Sequence, residues 1–251
     1  MYYLSSLSLQ GKSARTASSY IAALGTWHKL QDMQDPTQHF LVRKMLSGFS
    51  KEGRNKDTRQ PITGNTLHSI LNVLHLVCSS SYETKLFIAA YTSAFFGFFR
   101  VSELVPNSAA DTSNRSLSIN DVNITDNAAS MHVTLRYSKT DQAGIGTCIQ
   151  IKAIPNSPLC PVAAMVNYLA ARPLSSHYLF IHFDGKQLTR FQFQAVLQKA
   201  VAHLDLPHCN YTSHSFRIGA ATTAAMNGVD AETIKRYGRW ASDCYLRYIR
   251  I

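Results

Sequence analysis

Two stretches near the end of the chain, His214-Ser-Phe-Arg-Ile-Gly-Ala-Ala-Thr222 and Gly238-Arg-Trp-Ala-Ser-Asp-Cys-Tyr-Leu-Arg-Tyr-Ile-Arg250, decide how the rest is read. Between and around them the pattern predicts a helix over Ser215–Asn227, stopped by Asn227-Gly228, and a second over Asp230–Tyr237 with Asp230 as its cap. A last turn or two follows from Ser242. His214 and Arg217 stand three apart where the first of these helices begins, and exposed backbone N–H groups there favour an anion. Taken alone the pair is weak evidence, because ten histidines are scattered along the chain. Tyr245 and Tyr248 both fall in the closing turns, the latter between Arg247 and Arg250.

Upstream the pattern is again helical, at Pro161–Ala171 and at Thr189–His203 with Phe193, Val196, Leu197 and Ala200 on one face. Before these, Met131–Arg136 and Thr147–Lys152 alternate apolar and polar side chains. They predict an antiparallel hairpin whose tip, Lys139–Gly146, carries Lys139. Earlier still, Thr63 or Asn65 can cap a helix whose apolar positions are Leu67, Ile70, Leu71, Leu74 and Cys78. A second helix is expected over Tyr82–Val105, apolar nearly all round and therefore central to a core. It includes Arg100-Val-Ser-Glu103, and an arginine at the end of so apolar a run must reach water or meet an anion. In front, Tyr20, Leu24, Trp27 and Met33 suggest an amphipathic helix from about Thr16, and Phe40–Leu46 a short one. The stretch Arg43–Arg59 reads as a linker with a phosphate-facing bias, through Arg43, Lys44, Lys51, Arg54, Lys56 and Arg59.

The chain has 251 residues, 45% apolar and 16% charged, so it is neither disordered nor membrane-saturated. Its longest apolar run, Phe87–Phe99, is broken by Tyr91, Thr92 and Ser93 and reads as a buried helix; no membrane partner is expected. A net charge of +10 points to a polyanion. Five cysteines without a CxxC pair argue against a disulfide framework or zinc knuckle, and reducing, intracellular surroundings fit best. No secretory signal is visible at the amino terminus.

The succession Arg100-x-x-Glu103, a hairpin Lys139, His214-x-x-Arg217, Gly238-Arg-Trp240 and Tyr248-Ile-Arg resembles the tyrosine recombinase (phage integrase) family. The phrases Asp57-Thr-Arg-Gln-Pro-Ile-Thr63, His214–Thr222 and Gly238–Arg250 look most like recombinases of eukaryotic DIRS, Ngaro and Crypton mobile elements. The resemblance implies a mainly α fold with a small antiparallel sheet. It implies a partial helical, SAM-like core-binding domain over 1–53, a basic linker over 54–62 and a catalytic domain over 63–251. By that likeness Arg100, Lys139, His214, Arg217, Trp240 and Tyr248 are catalytic and Glu103 supports them. Tyr245 remains the alternative nucleophile.

Such a set suits phosphodiester chemistry. Attack on phosphorus builds charge on the non-bridging oxygens, which two forked guanidiniums can hold. A phenol, with a pKa near 10, needs a base or a cationic surround, which His214 and the arginines supply. A hairpin lysine, its pKa lowered by cationic neighbours, can protonate the leaving 5′ oxygen. Trp240 can pack on the site and donate its indole N–H to a phosphate oxygen. The resemblance implies a 3′-phosphotyrosyl intermediate, no cofactor and no metal. It also implies double-stranded DNA as partner, a homotetramer on paired sites with a monomer when free, and the nucleus if the host is eukaryotic. The competing class is a catalytically inactive or truncated DNA-binding derivative. A topoisomerase IB-like enzyme fits less well, and a metal nuclease is disfavoured with only four glutamates in the chain.

Overall fold

Thr63 is the cap that starts the larger body: its side chain accepts the Thr66 N–H and opens α4, Gly64–Val77, in a computed structural model describing residues 2–52, 57–111, 115–137 and 146–251. Leu67, Ile70, Leu71 and Leu74 form the buried stripe of α4. The chain divides into two units, Met1–Thr58 and Arg59–Ile251, each with its own apolar cluster.

In the larger unit α5, Ser81–Phe96, is buried on all sides and packs against α4, α7 (Pro161–Leu169) and α9 (Ser215–Met226). Tyr91 at its centre donates its hydroxyl to the Phe193 carbonyl of α8, Arg190–His203, at 3.0 Å. Its ring meets those of Phe193 and Phe216 at 4.7 and 4.9 Å. The sheet is antiparallel in the order β1 (Val122–Ile124), β2 (Ser130–Leu135), β3 (Thr147–Lys152), with Met131 opposite Ile151 and Val133 opposite Ile149. Met131, Val133 and Leu135 face the core while His132 and Thr134 point away, as the alternation requires. The hairpin strands lie where the sequence predicts them; β1, three residues long, left no legible alternation. Lys139 and its connection lie outside the described residues.

The helix expected over Tyr82–Val105 is two helices. It ends at Phe96, the chain turns, and α6 begins anew at Val101–Leu104. Phe98 takes φ +49, the Phe98 N–H bonds Phe95 O, and the Phe99 N–H reaches back to Ala94 O at 3.1 Å. That is a left-handed helix end of the Schellman kind. The cause is steric: a Cβ on Gly97 would lie 2.1 Å from the Phe99 ring, which packs close on the bare glycine. Arg100 therefore starts α6 instead of ending an apolar helix.

α10, Ala231–Gly238, ends the same way. Arg239 takes φ +56, the Trp240 N–H bonds Lys235 O at 3.0 Å, and a Cβ on Gly238 would lie 1.8 Å from the Trp240 ring. Glycine, a left-handed residue and an aromatic thus recur at both helix ends. A further close approach joins the segment before α4 to α9: the Ile62 N–H bonds Ser215 O, and a Cβ on Gly219 would lie 1.7 Å from Ile62 O.

The smaller unit holds α1 (Tyr2–Leu9), α2 (Ala14–Leu30), a 3-10 turn at Pro36–Gln38 and α3 (Phe40–Glu52). Leu4, Leu7, Ala17 and Ile21 form its buried apolar cluster, with Val42, Met45, Leu46 and Phe49 packed against them. Two sequence expectations change here. The stretch from Arg43 is helical through Glu52 and not linker, because Val42, Met45, Leu46 and Phe49 do follow the helical period. In α2 the inward face is Ala17, Ile21 and Gly25; Tyr20, Leu24 and Trp27 are exposed, as is Met33 beyond its end. Gly25 stands on this face because the Asp35-Pro-Thr turn approaches to 2.8 Å from a Cβ placed there. α1 carried no sequence signal strong enough to name.

Candidate active site

The two matching helix ends meet, and the residues that join them are arginines. Arg217 lies in the first turn of α9 and is fully buried. Its guanidinium donates to the Phe98 carbonyl of one turn and the Gly238 carbonyl of the other. Arg239 adds further links, donating to Gly97 O at 3.0 Å, Phe98 O at 3.2 Å and the Glu103 carboxylate at 2.9 Å. A helix-interior Phe98 would have spent its carbonyl within α5; the break at Gly97 frees it.

Glu103, 4% exposed, sits between two cations. One oxygen takes the Arg100 guanidinium at 2.8 Å, and the other takes the Arg100 backbone N–H and the Arg239 guanidinium, both at 2.9 Å. Three guanidiniums against one carboxylate leave this cluster net positive in a place largely closed to water. Burial first, then the neighbouring Arg100 and Arg239 charges, pull the Arg217 pKa below the usual guanidinium range. Burial acts the same way on Arg239, partly offset by Glu103. Such a cluster favours an anion as its missing partner.

Trp240 covers this cation cluster. Its ring lies 4.4 Å from the Arg217 guanidinium carbon, and Tyr248 follows at 5.6 Å from the same carbon. The Tyr248 ring meets Trp240 at 4.9 Å and His214 at 5.1 Å. His214, half-buried, is the N-cap of α9 with helical backbone angles, and its carbonyl accepts the Ile218 N–H at 3.1 Å, which keeps the i, i+3 spacing to Arg217. Thr222 fastens the tail: its hydroxyl donates to Tyr248 O at 3.2 Å and accepts the Arg250 N–H at 3.1 Å. Tyr245 lies on another side of Trp240, 8% exposed, with Lys235 at 5.6 Å from its ring. Three buried donors, Arg217 Nε, Arg239 Nε and Trp240 Nε1, have no hydrogen-bond partner among the described residues.

Of the residues singled out from sequence, Arg100, Glu103, His214, Arg217, Trp240 and Tyr248 converge here. Arg43, Lys44 and Lys51 lie on the exposed side of α3 in the smaller unit, opposite its apolar face. Arg59 opens the larger unit, while Arg54 and Lys56 lie outside the described residues. The sequence pattern assigns no role to Arg239 or Thr222. The recurrence of glycine followed two residues later by a large aromatic, at Gly97-Phe-Phe99 and Gly238-Arg-Trp240, is the signal that could have found the paired turns.

The XerH site-specific recombinase, in a post-cleavage complex on palindromic difH substrate, superposes with a TM-score of 0.70 at 15% identity over 98% of this chain and 67% of that one. The Tn1549 transposon integrase, with circular intermediate DNA, gives 0.60 at 17% over 100% of this chain and 79% of that one. A lambda integrase dimer on a COC′ core site gives 0.64 at 15% over 98% and 62%. The fold is accordingly that of the mainly helical DNA breaking–rejoining enzymes. A xerD-like integrase/recombinase homologue from Selenomonas ruminantium is 26% identical over 258 residues, covering 98% of this chain and 71% of the relative. Residues 62–248 match the phage integrase family model, and the chain belongs to that family of tyrosine-type site-specific recombinases.

Proposed function

We propose that this chain cleaves and rejoins duplex DNA through Tyr248, on behalf of a mobile element of the DIRS, Ngaro or Crypton kind. The observation that carries the reading is the Tyr248 ring held against His214 and Trp240 beside the buried Arg217.

The Tyr248 oxygen attacks the scissile phosphorus. A phosphorus–oxygen bond to tyrosine forms and the bond to the 5′ oxygen breaks. The phenolic proton passes to His214, and the leaving oxygen takes its proton from Lys139. Arg100 and Arg217 hold the non-bridging oxygens, where charge grows in the transition state; one well-placed donor of this kind contributes about 3 kcal/mol. Trp240 keeps water from the phosphotyrosyl bond and directs its indole N–H, which has no partner among the described residues, at a phosphate oxygen. The reverse attack by a 5′ hydroxyl reseals the strand, with no external energy source.

The smaller unit, Met1–Thr58, acts as a partial core-binding domain, and the exposed Arg43, Lys44 and Lys51 contact phosphates together with Arg54, Lys56 and Arg59 of the basic segment. Strand exchange takes place in a homotetramer on paired sites, in the nucleus of a eukaryotic host. The test is trapping on a pool of randomised duplexes nicked along one strand, in buffer without divalent metal. A denaturation-resistant protein–DNA adduct is expected with the wild type and not with Tyr248→Phe. Binding of the pool without adduct at any salt would point instead to a DNA-binding derivative.

A further inference from the structure

Arg239 spends a buried guanidinium on a position where the backbone itself is unfavourable. At φ +56 a non-glycine residue costs on the order of 1 kcal/mol, and the side chain, 9% exposed, adds the cost of burying a charge. Such a combination persists where its surroundings hold it in place. Here the surroundings are Gly97 O, Phe98 O and the second oxygen of Glu103.

That second oxygen bears on Arg100. Glu103 takes a single nitrogen of the Arg100 fork, and among the described residues the other two donate to no protein acceptor. The Arg100 side chain is 20% exposed, so those donors have an open direction. With Arg239 removed, both Glu103 oxygens would face Arg100 alone, and a bidentate pair is the favoured geometry for arginine and carboxylate. The fork would turn inward. The Phe98 carbonyl shared by Arg217 and Arg239 would also lose one of its two anchors.

We infer that Arg239 is a positioning residue of the recombination reaction: by occupying Glu103 and the Gly97–Phe98 turn, it keeps the Arg100 fork free for the scissile phosphate. This rests on the cleavage reading above. It also makes a specific suppressor prediction, because a carboxylate that recaptures Arg100 ceases to do so when it is an amide.

The experiment measures the rate of adduct formation on the nicked duplex pool, at saturating and sub-saturating DNA, for wild type, Tyr248→Phe, Arg239→Met, Glu103→Gln and the Arg239→Met/Glu103→Gln double variant. Arg239→Met is expected to slow adduct formation at saturating DNA by about 100-fold, the scale of a mispositioned catalytic group, while half-saturation moves less than about threefold. The double variant is expected to recover at least about tenfold over Arg239→Met. A double variant as slow as Arg239→Met, or slower, overturns the inference, as does an Arg239→Met rate equal to wild type. Should Arg239→Met fail to melt cooperatively, Arg239→Lys takes its place, since one ammonium cannot reach all three acceptors and the same suppression by Glu103→Gln is required. Wild type without adduct, or Tyr248→Phe with it, overturns the cleavage reading itself and the inference with it; normal behaviour of both without suppression overturns the inference alone.

Discussion

At the scale of single residues the site is a set of cations that cannot satisfy one another. Arg217 is anchored by two carbonyls from two separate helix ends, and lysine, with one nitrogen, cannot bridge them. Arg217→Lys is therefore expected to lower single-turnover adduct formation by about 100-fold or more, while Tyr245→Phe leaves the rate within about twofold, since its ring meets Trp240 and Lys235 whereas that of Tyr248 meets Arg217 and His214. Away from the site, His182 Nδ1 lies 2.9 Å from Glu83 Oε1, and that partner raises the His182 pKa above 6.5. A raised folded-state pKa means stabilisation that is complete below about pH 6.5 and lost as pH rises through the raised value. Thermal melts of wild type and His182→Gln should thus differ most at low pH and converge above that window.

The elements were legible where a helix or strand buries a regular stripe. α4 shows this best: its cap and apolar positions stand plainly in Thr63–Leu74, and Thr63→Ala should cost about 1 kcal/mol in a denaturant titration. α5 and α6 merged in the sequence reading because an apolar run gives no period to interrupt, and only the packing of Phe99 on Gly97 ends the helix. The second half of α3, beyond Leu46, was hidden by its glycine and basic residues, although its apolar positions keep helical spacing. The catalytic candidates were legible as a pattern in order, Arg100 through Tyr248. What joins them was not, because Arg217 and Arg239 bond backbone carbonyls that exist as free acceptors only after two helices have ended. Gly219→Ala tests the closest approach between elements: its methyl would lie 1.7 Å from Ile62 O, so the segment before α4 must move off α9. A destabilisation of about 2 kcal/mol or more is expected; a variant as stable as wild type would show that this approach carries no constraint.

For the molecule as a whole, two units with separate cores share a chain of net charge +10. Among the described residues no helix is long and apolar enough to cross a membrane. DNA affinity should fall steeply with salt, and replacing Arg43, Lys44 and Lys51 with glutamine should flatten the log–log slope by up to about 2.7, three phosphate contacts at roughly 0.9 each. An unchanged slope would place the phosphate contacts on other surfaces. The central claim, that Tyr248 carries the DNA, is tested most directly by its own peptide. Arg247 and Arg250 flank it, so trypsin releases Tyr248-Ile-Arg250 apart from the segment that holds Tyr245. Mass spectrometry of a nuclease-trimmed adduct should find a 3′-phosphonucleotide on Tyr248-Ile-Arg250; the same mass addition on the Tyr245 peptide, or on neither, would contradict it.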